Sequence, residues 1–370
     1  MTDKKIPFVG LHAHSVAGSI FDAIGYPDEH MDFCYENGGE ALALTDHGNM
    51  NGFSHQFLHW QKMKSEGKEF KPIFGVEAYF VPSIEEWREE YERSKEDKKL
   101  DRTLAKQGAT SGATVEDEGA TKTAGKSALN RRRHLVLLAQ NQTGLNNLFK
   151  LVSESYKEEN FYRYPRMDYA MLSRYNEGII ASSACLGGPL AGDFWANSEY
   201  EEDEETGKDV WLRSKPDEVR AAMRETTRRF VEIFGDRWYG ELQWNSIPQQ
   251  HELNQYIIEV CEEFGVTLIS TADSHYPNPV GWLGAGAPAW ADGETGLPSG
   301  VEEIGYELYP KNGNQMWDSY KYYSKTCGAE YDDRLVMNSI TETHNIAFNR
   351  IEEFVPDTTV KLPDFVVPAG

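Results

Sequence analysis

Cysteine, positive charge and long apolar runs are all scarce in this chain, and each shortage excludes something. Four cysteines (Cys34, Cys185, Cys261 and Cys327) lie far apart in 370 residues with no paired spacing. That fits reduced thiols and argues against a disulfide framework. Hydrophobic residues make up 39% of the chain, and no apolar run approaches the ~20 residues needed to span a bilayer. The opening MTDKKIPFVG passes into a short strand-like run, without the apolar core of a secretory signal. A cytoplasmic protein is expected. Lys and Arg number 37 against 60 Asp and Glu, a formal charge of -23. This is the wrong sign for gripping duplex DNA over a broad face, because phosphate neutralisation needs clustered cations. Any nucleic-acid contact should be local. An acidic chain with several histidines is compatible with divalent-metal binding, although acidity also serves solubility.

The length suits one large barrel plus extras or two ordinary domains. Short apolar runs at 7–11, 41–45, 72–76, 135–139, 178–181 and 267–270 read as buried strands. Helical patterns lie between them, such as the one over 53–64 after the Asn51-Gly52 turn. Strands alternating with helices suggest a parallel sheet or barrel. Residues 82–130 break the rhythm with a charged helix-like run at 85–99 and a Gly, Ala, Thr and Ser-rich tract at 108–126. They read as an exposed, partly flexible insertion. Residues 199–205 read as an acidic surface loop. Pro216 then opens a helix with Arg220, Arg224 and Arg228 at four-residue spacing, a pattern that fits a solvated face. After His275 the sequence is irregular to about Tyr309, and a helical pattern follows over 332–352. A soft boundary near 276–281 divides a domain over 1–280 from an extension over 281–370.

The first chemical signal is His12-Ala13-His14 after a predicted strand. Residues two apart in extended chain share a face, so both imidazoles can reach one ion. Other predicted strands also end in ligand-capable residues: Asp46-His47, Glu77, Cys185 and Asp273-Ser274-His275. In barrels, strand C-terminal ends converge on one mouth. Each residue also has a bland reading: His47 as a helix cap, Glu77 as a surface carboxylate, Cys185 as a small buried hydrophobe. Asp273 and His275 repeat the two-residue spacing of the first pair, and mixed imidazole, carboxylate and thiolate donors suit zinc, manganese or iron.

The segments LHAHS, ALALTDHGNMNG, KPIFGVEAYF, RRRHLVLLAQNQTGLNNLFKLVS, PRMD, GIIASSAC and STADSHY, in that order, resemble the motifs of the polymerase-and-histidinol-phosphatase (PHP) domain that opens the alpha subunit of bacterial DNA polymerase III. The similarity runs through the closing LPDFVVPAG, which resembles the lead-in to the polymerase region. The resemblance implies an α/β fold, a distorted (β/α)7 barrel, with two to three divalent ions at its mouth. Carried over by motif, the ligands are His12, His14, Asp22, His47, Glu77, His134, Cys185, Asp273 and His275. Many relatives have lost several ligands, so an intact set tilts the chain toward catalysis. Two features depart from the pattern. The loop over 15–22 is one residue longer than usual, leaving Asp28 and Asp32 as rivals to Asp22. The long insertion before His134 could cover the mouth or form a partner surface. His134 also precedes its strand, so only the resemblance places it.

The expected chemistry is metal-assisted phosphodiester hydrolysis, with Glu77 bridging two ions and Asp273 or His275 orienting the water. Arg166 is a candidate phosphate contact, with an ordinary salt bridge as its alternative. The resemblance implies single-stranded DNA with a free 3' end as substrate, a proofreading 3'-5' exonuclease in DNA replication, with the polymerase region or other replisome subunits as partners. The rival readings are a metal-stabilised structural module without turnover and a small-molecule phosphomonoesterase. Nucleotidyl transfer needs clustered palm carboxylates, and no polymerase active site is expected within this chain.

Overall fold

A computed structural model describes residues 5–106, 132–203, 209–279 and 307–359, with side chains omitted for 97–106. A six-stranded sheet has the order β1-β2-β3-β6-β9-β10. These are β1 (Ala41–Leu44), β2 (Lys71–Phe80), β3 (Arg133–Ala139), β6 (Ile179–Ser182), β9 (Trp238–Gln243) and β10 (Thr267–Thr271). Two small antiparallel pairs lie outside it: β4 (Phe161–Tyr162) with β5 (Tyr164–Pro165), and β7 (Ser198–Glu202) with β8 (Asp209–Ser214). Between strands run α1 (Pro27–Glu36), α2 (Phe53–Ser65), α3 (Ile84–Lys106), α4 (Gln142–Ser155), α5 (Tyr169–Tyr175), α6 (Pro189–Ala196), α7 (Pro216–Phe234) and α8 (Pro248–Phe264), followed by α9 (Gly313–Thr326) and α10 (Asp333–Asn345). None of the described helices is long and apolar enough to cross a membrane.

The sheet is parallel except at β3, which runs against both β2 and β6. Its two edges are joined by the extended run Gly10 to His14. Ala43 N donates to Gly10 O (2.8 Å) and Thr45 N to Ala13 O (2.7 Å) on the β1 side, while His14 N donates to Ser274 O (2.7 Å) beyond β10. This irregular segment takes the seventh position of a distorted (β/α)7 barrel.

Two-residue periodicity divides the strand side chains between inside and outside. Val9, Leu11, Ala41, Ala43, Ile73, Val136, Leu138, Ile180, Tyr239 and Ile269 form one cluster with Ile346, Ala347 and Ile351. Their alternates Leu42, Phe74, Leu135, Leu137, Ile179 and Ala181 pack in another with helical residues such as Phe57 and Leu148. The turn after α10 therefore plugs one end of the barrel, and Lys71 Nζ ties it there by donating to Ala347 O (2.7 Å) and Ile351 O (2.6 Å). Burial on both faces explains why β1, ALAL, is an uninterrupted apolar run.

Two sequence readings change. Residues 199–202 of the expected acidic loop form, with Ser198, a strand paired with β8. β9, WYGELQ, is an unforeseen central strand whose six residues are all buried; its glycine and interior polar residues hide it from a search for apolar runs. The arginine row on α7 is a solvated face: Arg220 meets Glu259 (2.7 Å) and Arg224 meets Glu263 (2.6 Å) on α8. The 85–99 run belongs to α3, whereas the tract at 108–126 and most of the irregular stretch after 279 lie outside the described residues.

Gly144, in the first turn of α4, sits against the backbone of Gly178, where a Cβ would come within 1.8 Å of a carbonyl oxygen. Gly144→Ala should therefore cost about 1–3 kcal/mol of stability, measured as a shift in urea midpoint; an unchanged midpoint would mean that this helix-to-strand contact is looser than described.

Candidate metal centre

The C-terminal ends of the parallel strands open on the end of the barrel opposite the plug. His12 and His14 arrive there side by side, both buried, with ring centroids 5.1 Å apart. His47 follows β1 and pairs in the ladder with Glu77 of β2. His134 stands opposite Tyr79, two residues beyond Glu77. Because β3 is antiparallel, its beginning shares this end with the other strands' finishes. Cys185 follows β6, and Asp273 and His275 follow β10. Ala184 (φ 55°) and Asp273 (φ 50°) have left-handed backbones, a conformation Asp tolerates and Ala does not prefer; both turn the chain at the mouth.

Three groups of donor atoms result, each with its members within 4.8 Å of one another: His12, His14 and Asp273; His47, Glu77 and His134; and His14, His47 and His275. Asp273 Oδ1 is 3.2 Å from His12 Nε2 and 3.1 Å from His14 Nε2. Glu77 joins the groups, with Oε1 3.0 Å from His12 Nε2 and Oε2 2.5 Å from His47 Nδ1 and 3.1 Å from His134 Nδ1. Cys185 Sγ lies 3.6 Å from His134 Nδ1 and 4.0 Å from Glu77 Oε1. Asp22 Oδ2 is 2.9 Å from His47 Nε2, so the longer loop delivers Asp22. Its rival Asp32 instead pairs with His59 at 2.9 Å, and Asp28 occupies the first turn of α1. All nine residues carried over by motif meet in this one cluster.

The donor set fits divalent cations. His12 Nε2, His14 Nε2, Asp22 Oδ1, His47 Nδ1, Glu77 Oε2 and Asp273 Oδ1 are buried and make no hydrogen bond. A buried polar atom left without a partner costs about 1–3 kcal/mol, and six of them crowded together are what bound cations would satisfy. Imidazole, carboxylate and one thiolate match zinc, manganese or iron.

A second set of residues, invisible to the motif reading, aims the ligands. His12 Nδ1 donates to Glu241 Oε1 (2.7 Å), leaving Nε2 for the mouth. Glu241 also accepts from Ser182 Oγ (2.6 Å) and Thr271 Oγ1 (2.5 Å). Ser19 Oγ bridges His14 Nδ1 (3.2 Å) and Asp46 Oδ1 (3.1 Å), and Asp46 also accepts from Ser15 N (2.6 Å). His275 Nδ1 donates to Asp273 O (2.8 Å). A glutamate inside a buried strand was the available signal for Glu241, and it was missed together with β9. Arg166 requires correction: it is fully buried, donates through Nη1 to Tyr162 O and Tyr164 O at 2.9 Å each, and packs over Trp87 at 4.3 Å. A guanidinium so committed braces the chain and presents no edge to a phosphate at the surface.

Electrostatics within the cluster are mutual. Burial alone would raise Glu77, yet His134, His47 and His12 outweigh it and hold the carboxyl well below its usual range. Asp273 is likewise held low against burial by His12, His275 and His14. Burial opposes charge on His12 and His47, but Asp273, Glu241 and Glu77 around the first, and Asp22, Tyr79 and Glu77 around the second, raise both. His14, buried between His47 and His275, falls to about 3. Burial pushes the Cys185 thiol up, and Asp273 and Glu77 push it further.

The sequence model of the PHP domain matches residues 10–245. The chain belongs to the PHP domain family. Asp273 and His275 lie beyond the matched stretch and stand in the same cluster as His12, His14 and His47. Among curated relatives, the DNA polymerase III subunit alpha of Aquifex aeolicus is 35% identical over 272 residues, covering 74% of this chain and 18% of that protein. The proteins of the same name from Deinococcus radiodurans and Borreliella burgdorferi are each 31% identical, covering 64% and 73% of this chain and 13% and 18% of theirs. The chain thus spans less than a fifth of the length of these relatives. A solved amidohydrolase from Chromobacterium violaceum is 12% identical with a TM-score of 0.37, covering 80% of this chain and 99% of that one, a likeness too loose to inform chemistry.

Two outcomes follow. Glu241→Gln should weaken metal binding about 10- to 100-fold, read by competition with a chromogenic chelator; unaltered affinity would remove Glu241 from the aiming of His12. Raised His12 and His47 hold protons in the metal-free site where ordinary imidazoles have shed them, and bound cations must expel those protons. Metal retained after dialysis should accordingly rise with pH from 6 to 8, with protons released as the ions bind. A flat profile would contradict that charge arrangement.

Proposed function

We propose that this PHP domain is a metal-dependent phosphodiesterase that removes nucleotides from the 3' end of single-stranded DNA, a proofreading 3'-5' exonuclease working alongside a DNA polymerase III alpha polymerase region. The observation that carries the reading is Glu77, buried with its two oxygens facing different groups of ligands, as a carboxylate shared between neighbouring cations would be. Two to three zinc, manganese or iron ions would be held by His12, His14 and Asp273, by His47, Glu77, His134 and Cys185, and by Asp22 and His275 with their neighbours. Such ions supply Lewis acidity toward phosphate oxygens and a water of lowered pKa.

The chain's own residues supply the rest. Glu241 and Ser19 hold His12 and His14 with their Nε2 atoms toward the mouth. Asp273, slightly exposed at the rim while Glu77 is wholly enclosed, would orient an attacking water, with His275 beside it. The formal charge of -23 disfavours tight binding of DNA by the domain alone. A polymerase partner would present the strand end at high local concentration, so weak intrinsic affinity suffices.

Asp273→Asn is the informative substitution, because Asn tolerates the left-handed backbone that Asp273 adopts. The expected result is two to three ions per wild-type chain by mass spectrometry, with manganese-stimulated release of 3' nucleotides from single-stranded DNA. In the variant that release should fall on the order of 100-fold or more, with little change in melting temperature. Metal without cleavage, with melting temperature lost in the variant, would favour a structural module. Faster turnover of small phosphomonoesters than of DNA would favour a small-molecule phosphatase.

A further inference from the structure

Beside the metal ions, a cationic side chain would fix the orientation of the substrate's phosphate, and Arg166, turned inward to the carbonyls of Tyr162 and Tyr164, does not offer one. The sequence RRRH places Arg132 two residues before His134. In extended chain, residues two apart share a face and adjacent residues oppose each other. The structure follows that rule. Arg133 turns away, packing its guanidinium where a Cβ on Gly192 of α6 would sit. Arg132 turns to the His134 side, with its guanidinium carbon 3.6 Å from the Tyr164 ring centroid and 5.0 Å from that of Tyr79.

Those two rings belong to the rim. Tyr79 lies 5.6 Å from the His134 ring and 6.0 Å, stacked, from His47. Tyr164 meets Tyr79 edge-on at 5.3 Å and stands in the short β4–β5 hairpin, whose Pro165 closes against Gly48 next to His47. Packing on aromatic faces fixes the plane of a guanidinium, which suits bidentate recognition of a phosphate and is not reproduced by an ammonium.

We propose that Arg132, held against Tyr164 and Tyr79 beside the His47, Glu77 and His134 ligands, is the phosphate-binding residue of the site. The assignment deepens the phosphodiesterase reading and rests on it for the identity of the substrate. The chemistry it names is a phosphate oxyanion, and the inner ring of carboxylates explains why one directed cation is needed at the rim. With Asp22, Glu77 and Asp273 offset by bound metal, Arg132 adds attraction on the side of the mouth where Tyr79 packs beside His47 and His134.

The test is titration of inorganic phosphate into the metal-loaded full chain, for wild type, Arg132→Lys and Arg132→Met, together with metal content, melting temperature and KM for 3'-labelled single-stranded DNA. Wild type is expected to bind phosphate, Arg132→Met to bind it about 10- to 100-fold more weakly with a matching rise in KM, and Arg132→Lys to fall between them because it keeps charge and loses the fork. Metal content should not change. Phosphate affinity in Arg132→Met equal to wild type, or no binding by metal-loaded wild type, overturns the proposal. Should Arg132→Met lose metal or fold poorly, Arg132→Lys decides, and its equality with wild type overturns bidentate recognition. If wild type degrades no DNA while phosphate binding still depends on Arg132, the exonuclease reading fails and this one stands.

Discussion

Glu77 is the residue on which the arrangement turns. A carboxylate with no solvent exposure is expensive unless it is paired and bonded, and here it faces His12, His47 and His134 within about 3 Å. Its backbone is fastened as firmly as its side chain. Its N–H donates to Thr45 O (3.2 Å) and Asp46 O (3.1 Å), and its carbonyl accepts from Gly48 N (2.8 Å). The end of β1 is thereby locked to the middle of β2, which fixes where His47 can stand. Because β2 is long and β3 runs back along it, the same residue also sets the height of His134 and the reach of Arg132.

Convergence on one mouth is a property of the barrel, not of any single motif. Parallel strands finish at the same end, and an antiparallel strand contributes its start. That is why a histidine at the start of its strand, His134 in β3, belongs with a cysteine behind one. The closing run Gly10 to His14 serves twice: it completes the ring of strands through Ala43, Thr45 and Ser274, and it delivers two of the imidazoles. Fold closure and ligand placement are thus one event, and whatever loosens the seam also loosens the site.

Much of this was legible in the sequence. Apolar runs ending in His, Asp, Glu or Cys gave most of the strands and the ligand-bearing ends, since burial on both faces leaves a continuous hydrophobic signature. β9 escaped because Gly240, Glu241 and Gln243 break that signature, and Glu241 is turned to His12 Nδ1 at 2.7 Å instead of packing in the apolar core. Arg166 was misjudged because neither charge nor spacing shows whether a side chain turns inward to backbone carbonyls or outward. Asp22 could be separated from Asp28 and Asp32 only in three dimensions, where the loop is pinned by Ser19 to Asp46 and by Ile24 N to His275 O (2.8 Å). A loop one residue longer than usual can carry its aspartate to the same place once both of its ends are fastened.

A mouth lined with unpaired buried donors works against folding, so stability has to come from elsewhere in the same barrel. The apolar interior and the plug of Ile346, Ala347 and Ile351 lie at the opposite end, away from the polar cluster, and α10 secures β10 from outside through Ser339 and Ser270 (2.8 Å). That division lets the ligands be arranged for affinity while the other end supplies the cohesion. Metal binding to the folded chain alone would be a source of stability under either reading of function. Loss of stability on metal removal alone therefore cannot separate a catalytic centre from a structural one. Separating them requires a change that alters a water-orienting or phosphate-binding group while leaving the cations and the fold in place.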